Sequence, residues 1–311
     1  MTTIGFAGLG AMGSRIASRL LEGNQVYGTN RTPAKAGQLI EQGMIWRDTP
    51  REVTRAAEVI ISMVTDDTAL AAVTSGPDGI LAGLAPGKVY LDMSTVSPGA
   101  SRQTARKVSA RGAVMLDAPV SGSVTAAEAG TLAIMAGGPA DGFRAVEPLL
   151  HRLSRTVTYA GANGHGLLLK LATNISLAAQ MLAFSEGVLL AGQGGVDPKL
   201  AAEVMSRSAI GSPMLQARGP LILDLPEPAW FGMQLMHKDI RLALDTAQDL
   251  GIPAPLARAA ETMLARAEEA GYAQQDIAAF YQVLAQAATA EGRARHGAAR
   301  SAAAGGNGNP Q

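Results

Sequence analysis

Lys170 and Asn174 stand four apart in the apolar run Leu167-Leu-Leu-Lys-Leu-Ala-Thr-Asn-Ile175. Residues at that spacing meet on one face of a helix. Lysine is almost never fully buried unless it is paired. An ammonium and an amide on one greasy face therefore suggest a polar site cut into a core. The plainer alternative is a lysine whose stem lies on apolar surface while its head reaches water. A carbonyl that accepts a hydride becomes an alkoxide and needs a proton or a cation beside it. Lys170 suits that task as acid in reduction and base in oxidation, with Asn174 holding the lysine or the substrate oxygen.

A partner for such chemistry lies at the other end of the chain. Gly8-Leu9-Gly10-Ala11-Met12-Gly13 follows the strand-like Thr3-Ile-Gly-Phe-Ala7 and opens a helical pattern. In that context the motif binds a dinucleotide. The first glycine allows the tight turn, the second admits the pyrophosphate, and the third packs helix on strand. The phosphates then sit on the helix N-terminus.

About 20 residues further on, an NAD enzyme carries Asp or Glu for the ribose hydroxyls. This chain has Tyr27-Gly-Thr-Asn30-Arg31-Thr32, with no carboxylate at the strand end. Arg31 can pair with a 2′-phosphate, and Asn30 and Thr32 can hydrogen-bond it. The expected cofactor is NADP(H), with NAD(H) as second choice.

Ser121 and Gly122 follow a predicted strand and precede a helical stretch. Their backbone N–H groups and the Ser121 hydroxyl form a candidate nest for a substrate carboxylate. Thr95 falls after another strand, where open sheets bind ligands at the carboxyl edge. As an alternative it caps the helix that begins at Pro98. Met63-Val64-Thr65 ends a further strand.

The composition narrows the choices. The 311 residues suffice for two domains, and the formal net charge is zero. No general field for nucleic acid or an anionic membrane is expected. There is no cysteine, which excludes disulfides, thiolate catalysis and thiolate metal sites. His151, His165, His237 and His296 lack metal-ligand spacing, so no metal is expected. The N-terminus lacks a basic region and leads straight into a required strand, so a signal peptide is not expected and the cytoplasm is the expected location.

Short apolar runs alternate with helical patterns through the first half of the chain. Strands are predicted at 3–7, 25–28, 59–63, 89–92, 114–118, 133–137 and 156–159. Helical stretches between them are predicted at 15–22, 33–42, 68–73, 98–110 and 141–152. This alternation predicts an α/β domain with a doubly wound, Rossmann-type sheet over 1–162. Gly161-Ala-Asn-Gly164 breaks the pattern. An all-α domain over 163–290 follows, built on a long central helix at 165–191, roughly 40 Å long. That helix is interrupted by Lys170, Asn174, Gln180 and Glu186, so it is read as a buried soluble helix and not a membrane span. It is apolar nearly all round and must be covered on every side. A homodimer or a dimer of dimers is therefore expected. Further helices are predicted near 197–208, 213–223, 233–250, 254–270 and 276–288. The polar, glycine-rich tail at 291–311 is expected to be disordered.

Taken together, four motifs in order make the chain resemble the β-hydroxyacid dehydrogenases: 3-hydroxyisobutyrate dehydrogenases, tartronate semialdehyde reductases and glyoxylate/succinic semialdehyde reductases. They are Gly5-Phe-Ala-Gly-Leu-Gly-Ala-Met-Gly13, Asp117-Ala-Pro-Val-Ser121-Gly122-Ser123, Gly164-His-Gly166 with Lys170 and Asn174, and Lys238-Asp239 within Met236–Leu244. The resemblance runs from about residue 3 to 290. It implies an NAD(P)-dependent reductase of small aldehyde acids, with Lys170 as general acid/base. It also implies that Met63, Val64, Thr65 and Thr95 line the nicotinamide side and that Lys238 lies near nicotinamide and substrate. Asp239 would orient the site and Phe231 close the pocket wall. Asn30-Arg31-Thr32 and Ala183–Ala191 are most similar to the glyoxylate/succinic semialdehyde reductases, which use NADPH. The family commonly has Ser-Gly-Gly where this chain has Ser121-Gly122-Ser123, so Ser123 is expected to narrow or rewire the carboxylate pocket. The alternatives are an imine reductase of the same plan, which typically lacks the lysine, and a catalytically inactive dinucleotide-binding scaffold.

Overall fold

Strand order places the carboxyl ends of six parallel strands along one edge, and the predicted site residues that follow β1, β2, β4 and β5 fall on that edge. The computed structural model describes residues 2–289, so the predicted tail lies outside the described residues. The strands are β1 (Thr3–Ala7), β2 (Gln25–Thr29), β3 (Ile45–Trp46), β4 (Val59–Ser62), β5 (Val89–Asp92), β6 (Val114–Asp117), β7 (Val120–Ser121), β8 (Leu132–Gly137) and β9 (Ser154–Gly161). They form one sheet in the order β3-β2-β1-β4-β5-β6-β8-β7, with β9 paired to β8. Strands β1 to β6 pair in parallel, and β8 runs antiparallel to β6 and β7.

Helices on the two faces are α1 (Ala11–Leu21), α2 (Gly37–Glu41), α3 (Pro50–Ala56), α4 (Asp67–Thr74), α5 (Ile80–Gly83), α6 (Pro98–Ser109), α7 (Val124–Ala129) and α8 (Ala140–His151). Residues alternate along each strand, so neighbours feed opposite cores. Ile61, Leu91 and Leu116 join Ile16 and Leu20 on one face. Ile60, Tyr90 and Met115 join Val108 on the other. This two-sided burial explains why the strands read as continuous apolar runs.

The sheet departs from the predicted alternation near Ser121. Two short strands, β3 and β7, escape prediction because two residues carry no periodicity. Only the short α7 lies between β7 and β8, less chain than a parallel crossover requires, so β8 turns back antiparallel.

The helices that follow are α9 (His165–Gln193), α10 (Pro198–Arg207), α11 (Pro213–Arg218), α12 (Met233–Asp249), α13 (Pro255–Glu269) and α14 over 280–289. By internal contacts, Met1–Asn174 with Arg241–Pro253 form one unit, and Ile175–Ile240 with Ala254 onward form a second. In the second unit, Asp276 is fully buried and bridges separate segments. Its carboxylate pairs with Arg218 at 2.5 Å and accepts from the Trp230 and Phe231 backbones at 2.9 Å. Several large apolar side chains of this unit stay exposed, among them Leu190, Leu200, Val204 and Ile210. α9 is long and apolar enough to cross a bilayer by length and composition alone, as core helices of soluble proteins also are, and 39% of its most apolar window is buried.

Candidate active site

The turn between β1 and α1 has the backbone that its glycines demand. Gly8 has φ +102°, and a Cβ there would lie 2.2 Å from the Met63 carbonyl oxygen. A Cβ on Gly13 would meet the Gly8 carbonyl oxygen at 2.0 Å, so that glycine sets the approach of helix to strand. Gly10 is the N-cap of α1, makes no side-chain cap, and has open space where its Cβ would be. The first turn of α1 carries no acidic residue. The turn thus offers helix N–H groups to an open face, as a pyrophosphate requires.

That face opens on a cavity of about 410 Å³ lined by Gly8, Gly10, Asn30, Arg31, Thr32 and Lys35, and farther along by Met63, Val64 and Thr65. Asn30 lines the cavity, and its amide also makes contacts within the protein. Its Oδ1 accepts from Leu9 N–H and its Nδ2 donates to the Thr32 carbonyl, both at 3.0 Å. The side chain braces the phosphate turn against the loop after β2. Arg31 and Thr32 are exposed beside it. Lys35 adds a second cation to the same wall, and sequence reading overlooked it. The signal was its place on the short 3₁₀ turn at Pro33–Ala36, one turn past Arg31. Asp48 also borders the cavity, with its Oδ1 taken by the Trp46 indole N–H at 2.8 Å.

At the ends of β4 and β5 a buried polar cluster supports the cavity floor. The Asp92 carboxylate accepts from the hydroxyls of Ser62 and Ser94, at 2.7 and 2.6 Å. Ser94 in turn accepts from Val64 N–H at 2.9 Å. Burial pushes the Asp92 carboxyl up to about 6, against the lowering effect of those hydrogen bonds. Thr95 follows this cluster. It is not the cap of α6, because Ser97 accepts from Ala100 N–H and so takes that place.

Ser121 ends β7, and Gly122 follows with φ +143°. That φ is one side chains rarely adopt, and a Cβ on Gly122 would also press on the end of the Leu132 side chain at 2.8 Å. The Ser123 side chain is the N-cap of α7, accepting from Ala126 N–H and bonding the Thr125 hydroxyl at 2.6 Å. The serine that replaces the family's usual glycine thus has a structural use.

Lys170 and Asn174 both lie on α9 and both are buried, with 8% and 0% of their surface exposed. That burial leaves little of the lysine to water. The start of α9 is held by Asp117 at the end of β6. Its Oδ1 accepts from Gly164 N–H at 2.6 Å and its Oδ2 from Leu167 N–H at 3.1 Å. Desolvation pushes the Asp117 carboxyl up, and the same backbone donors pull it down.

In the second unit, the Lys238 ammonium lies 2.6 Å from the buried Asp239 carboxylate on α12. Phe231 is half-buried and its backbone is fixed by Asp276. Among the described residues no group of His, Asp and Glu could hold a metal ion.

Comparisons with known proteins give the family. Residues 3–161 match the NAD binding domain of 6-phosphogluconate dehydrogenase, and residues 164–284 match the NAD-binding domain of NADP-dependent 3-hydroxyisobutyrate dehydrogenase. Glyoxylate/succinic semialdehyde reductase 2 of Arabidopsis thaliana is 33% identical, over 93% of this chain and 81% of that protein. The 3-hydroxyisobutyrate dehydrogenase of Pseudomonas aeruginosa is 36% identical, over 85% of this chain and 91% of that protein. A solved structure of Psf3 in complex with NADP+ and 2-OPP superposes with a TM-score of 0.82 at 28% identity, covering 90% of this chain and 99% of that one. The chain belongs to the β-hydroxyacid dehydrogenase family and is an NAD(P)-dependent oxidoreductase acting on CH–OH groups.

Proposed function

We propose that this enzyme reduces a small aldehyde acid, of the glyoxylate or succinic semialdehyde kind, with NADPH, and runs reversibly with the hydroxy acid. The observation that carries the reading is the burial of Lys170 and Asn174 on one helical face, in a chain whose other unit-1 motifs build a dinucleotide turn. Bound NADPH supplies the hydride. Lys170 donates a proton to the carbonyl oxygen as negative charge develops there, and Asn174 keeps that ammonium or oxygen in place. Gly8, Leu9, Gly10, Ala11, Met12 and Gly13 hold the pyrophosphate. Arg31, Thr32 and Lys35 select the 2′-phosphate, with Asn30 bracing them. Met63, Val64, Thr65 and Thr95 belong to the nicotinamide side.

The substrate carboxylate is received at Ser121 and Gly122, where Gly122 has φ +143° and successive backbone N–H groups can form an anion nest. Ser123 supports this turn as the α7 cap. Phe231, Lys238 and Asp239 keep the roles of pocket wall, nicotinamide neighbour and orienting group on the strength of the family match.

The domain division is 1–162 for the dinucleotide-binding part and 163–290 for the helical part, in line with the two family matches. The protein acts in the cytoplasm as a homodimer or dimer of dimers, without nucleic acid or membrane. Leu190, at 77% exposed, and the apolar residues of α10 are the surface that a second copy covers. The test is NADPH oxidation with glyoxylate, succinic semialdehyde and a cyclic imine in parallel. Turnover of either aldehyde acid and not the imine is expected. Turnover of the imine alone would replace this reading by the imine reductase alternative.

A further inference from the structure

A helix N-terminus is ordinarily capped by the residue just before it. The start of α9 is instead held by a carboxylate 47 and 50 positions earlier in the chain. Asp117 is fully buried at the end of β6 and uses both oxygens, one on Gly164 N–H and one on Leu167 N–H. Beside it, Asn163 Nδ2 donates to the Met115 carbonyl of the same strand at 2.9 Å. Three attachments thus fix one turn of backbone to one strand.

The surroundings are cut to admit this contact. A Cβ on Gly166 would lie 2.2 Å from the Met135 oxygen and 2.9 Å from Asp117 Oδ2. A Cβ on Gly137 would lie 2.9 Å from the same Oδ2. Gly164 adopts φ +90°, which turns its N–H toward β6. Leu167 is three residues before Lys170, so the turn that Asp117 holds is directly below the lysine on the same helix. Burying an ion is costly unless it is hydrogen-bonded. The bonds and the positive end of the helix dipole offset that cost here, and a plain packing contact would not need a carboxylate.

We infer that Asp117, with Asn163 beside it, is a positioning residue for Lys170: the anchor fixes the rotation and height of the first turn of α9 and so aims the ammonium. The inference rests on the reading of Lys170 as the acid/base. Displacement of a reacting group by about 1 Å can cost roughly 10²-fold in rate. Asp117→Asn retains the shape but offers one acceptor to two N–H groups.

The experiment is a double-mutant cycle on the full-length enzyme, with NADPH binding followed by fluorescence and kcat scaled to the bound fraction. Asp117→Asn is expected to lower kcat by about 10–100-fold, with the Kd for NADPH unchanged. In the Lys170→Ala background it is expected to cause no further loss, because the group it aims is gone. If Asp117→Asn does not fold, Asn163→Ala at a half-buried position carries the same cycle, with a smaller loss and the same non-additivity. Equal losses in both backgrounds, or no loss, would overturn the positioning role and leave Lys170 intact. Near-native turnover of Lys170→Ala alone would overturn both readings, and is distinct from the additive result.

Discussion

Asp92 and Asp117 are direct neighbours in the register of β5 and β6, and neither has any surface exposed to solvent. Two carboxylates side by side in a core are costly, and each needs its own satisfaction. Asp117 obtains it from the helix it anchors. Asp92 obtains it from Ser62 and Ser94, and among the described residues its Oδ2 has no hydrogen-bond partner.

Asp92 therefore makes stability depend on pH. Its folded value, about 6, lies above the ordinary 3.8. Between those values the folded state binds the extra proton, so stability falls as pH rises from about 4 to 6 and the penalty stays constant above. Asp92→Asn removes this dependence. The stability of the variant relative to native is expected to rise across that window by on the order of 2–3 kcal/mol and then level off. Denaturant unfolding at pH 4.5, 5.5 and 7.5 checks it, and a difference independent of pH would refute the buried acid.

Cofactor choice follows from the wall that Arg31 and Lys35 share. The native enzyme is expected to show a lower KM for NADPH than for NADH. Arg31→Ala is expected to weaken 2′-phosphate binding by about 1.5–3 kcal/mol. Lys35→Ala is expected to weaken it less, as a point charge without the bidentate fork. NADH use should be little changed in both. Equal native use of the two cofactors would contradict this assignment.

Much of this was legible in the chain. The glycine turn was readable because each glycine meets a separate steric demand, and the burial of Lys170 followed from its apolar neighbours. Asn30 has a second use that its type alone does not show, because its amide also bonds Leu9 and Thr32 across the turn. Lys35 was hidden on a short helical turn, and Asp117 was visible in its motif without a role. Long-range contacts such as Asp117 to Leu167 leave no periodicity, so only the folded structure assigns them.

Assembly rests on α9 and the exposed apolar residues after it. Static light scattering at micromolar concentration is expected to give a dimer or tetramer mass. Leu190→Asp places a charge on a residue 77% exposed in the single chain and is expected to shift the mass downward. A native monomer would contradict the proposal.

Lys170 is the group expected to move the proton. Lys170→Ala is expected to lower kcat by about 10²–10⁴-fold, the range for a positioned acid or base. Lys170→Arg is expected to be poor as well, since arginine holds its proton. The decisive measurement is single-turnover NADPH oxidation by Lys170→Ala alongside its Kd for NADPH. A slow hydride-transfer step with unchanged NADPH affinity is expected. Near-native turnover, or a loss explained entirely by weaker NADPH binding, would contradict it.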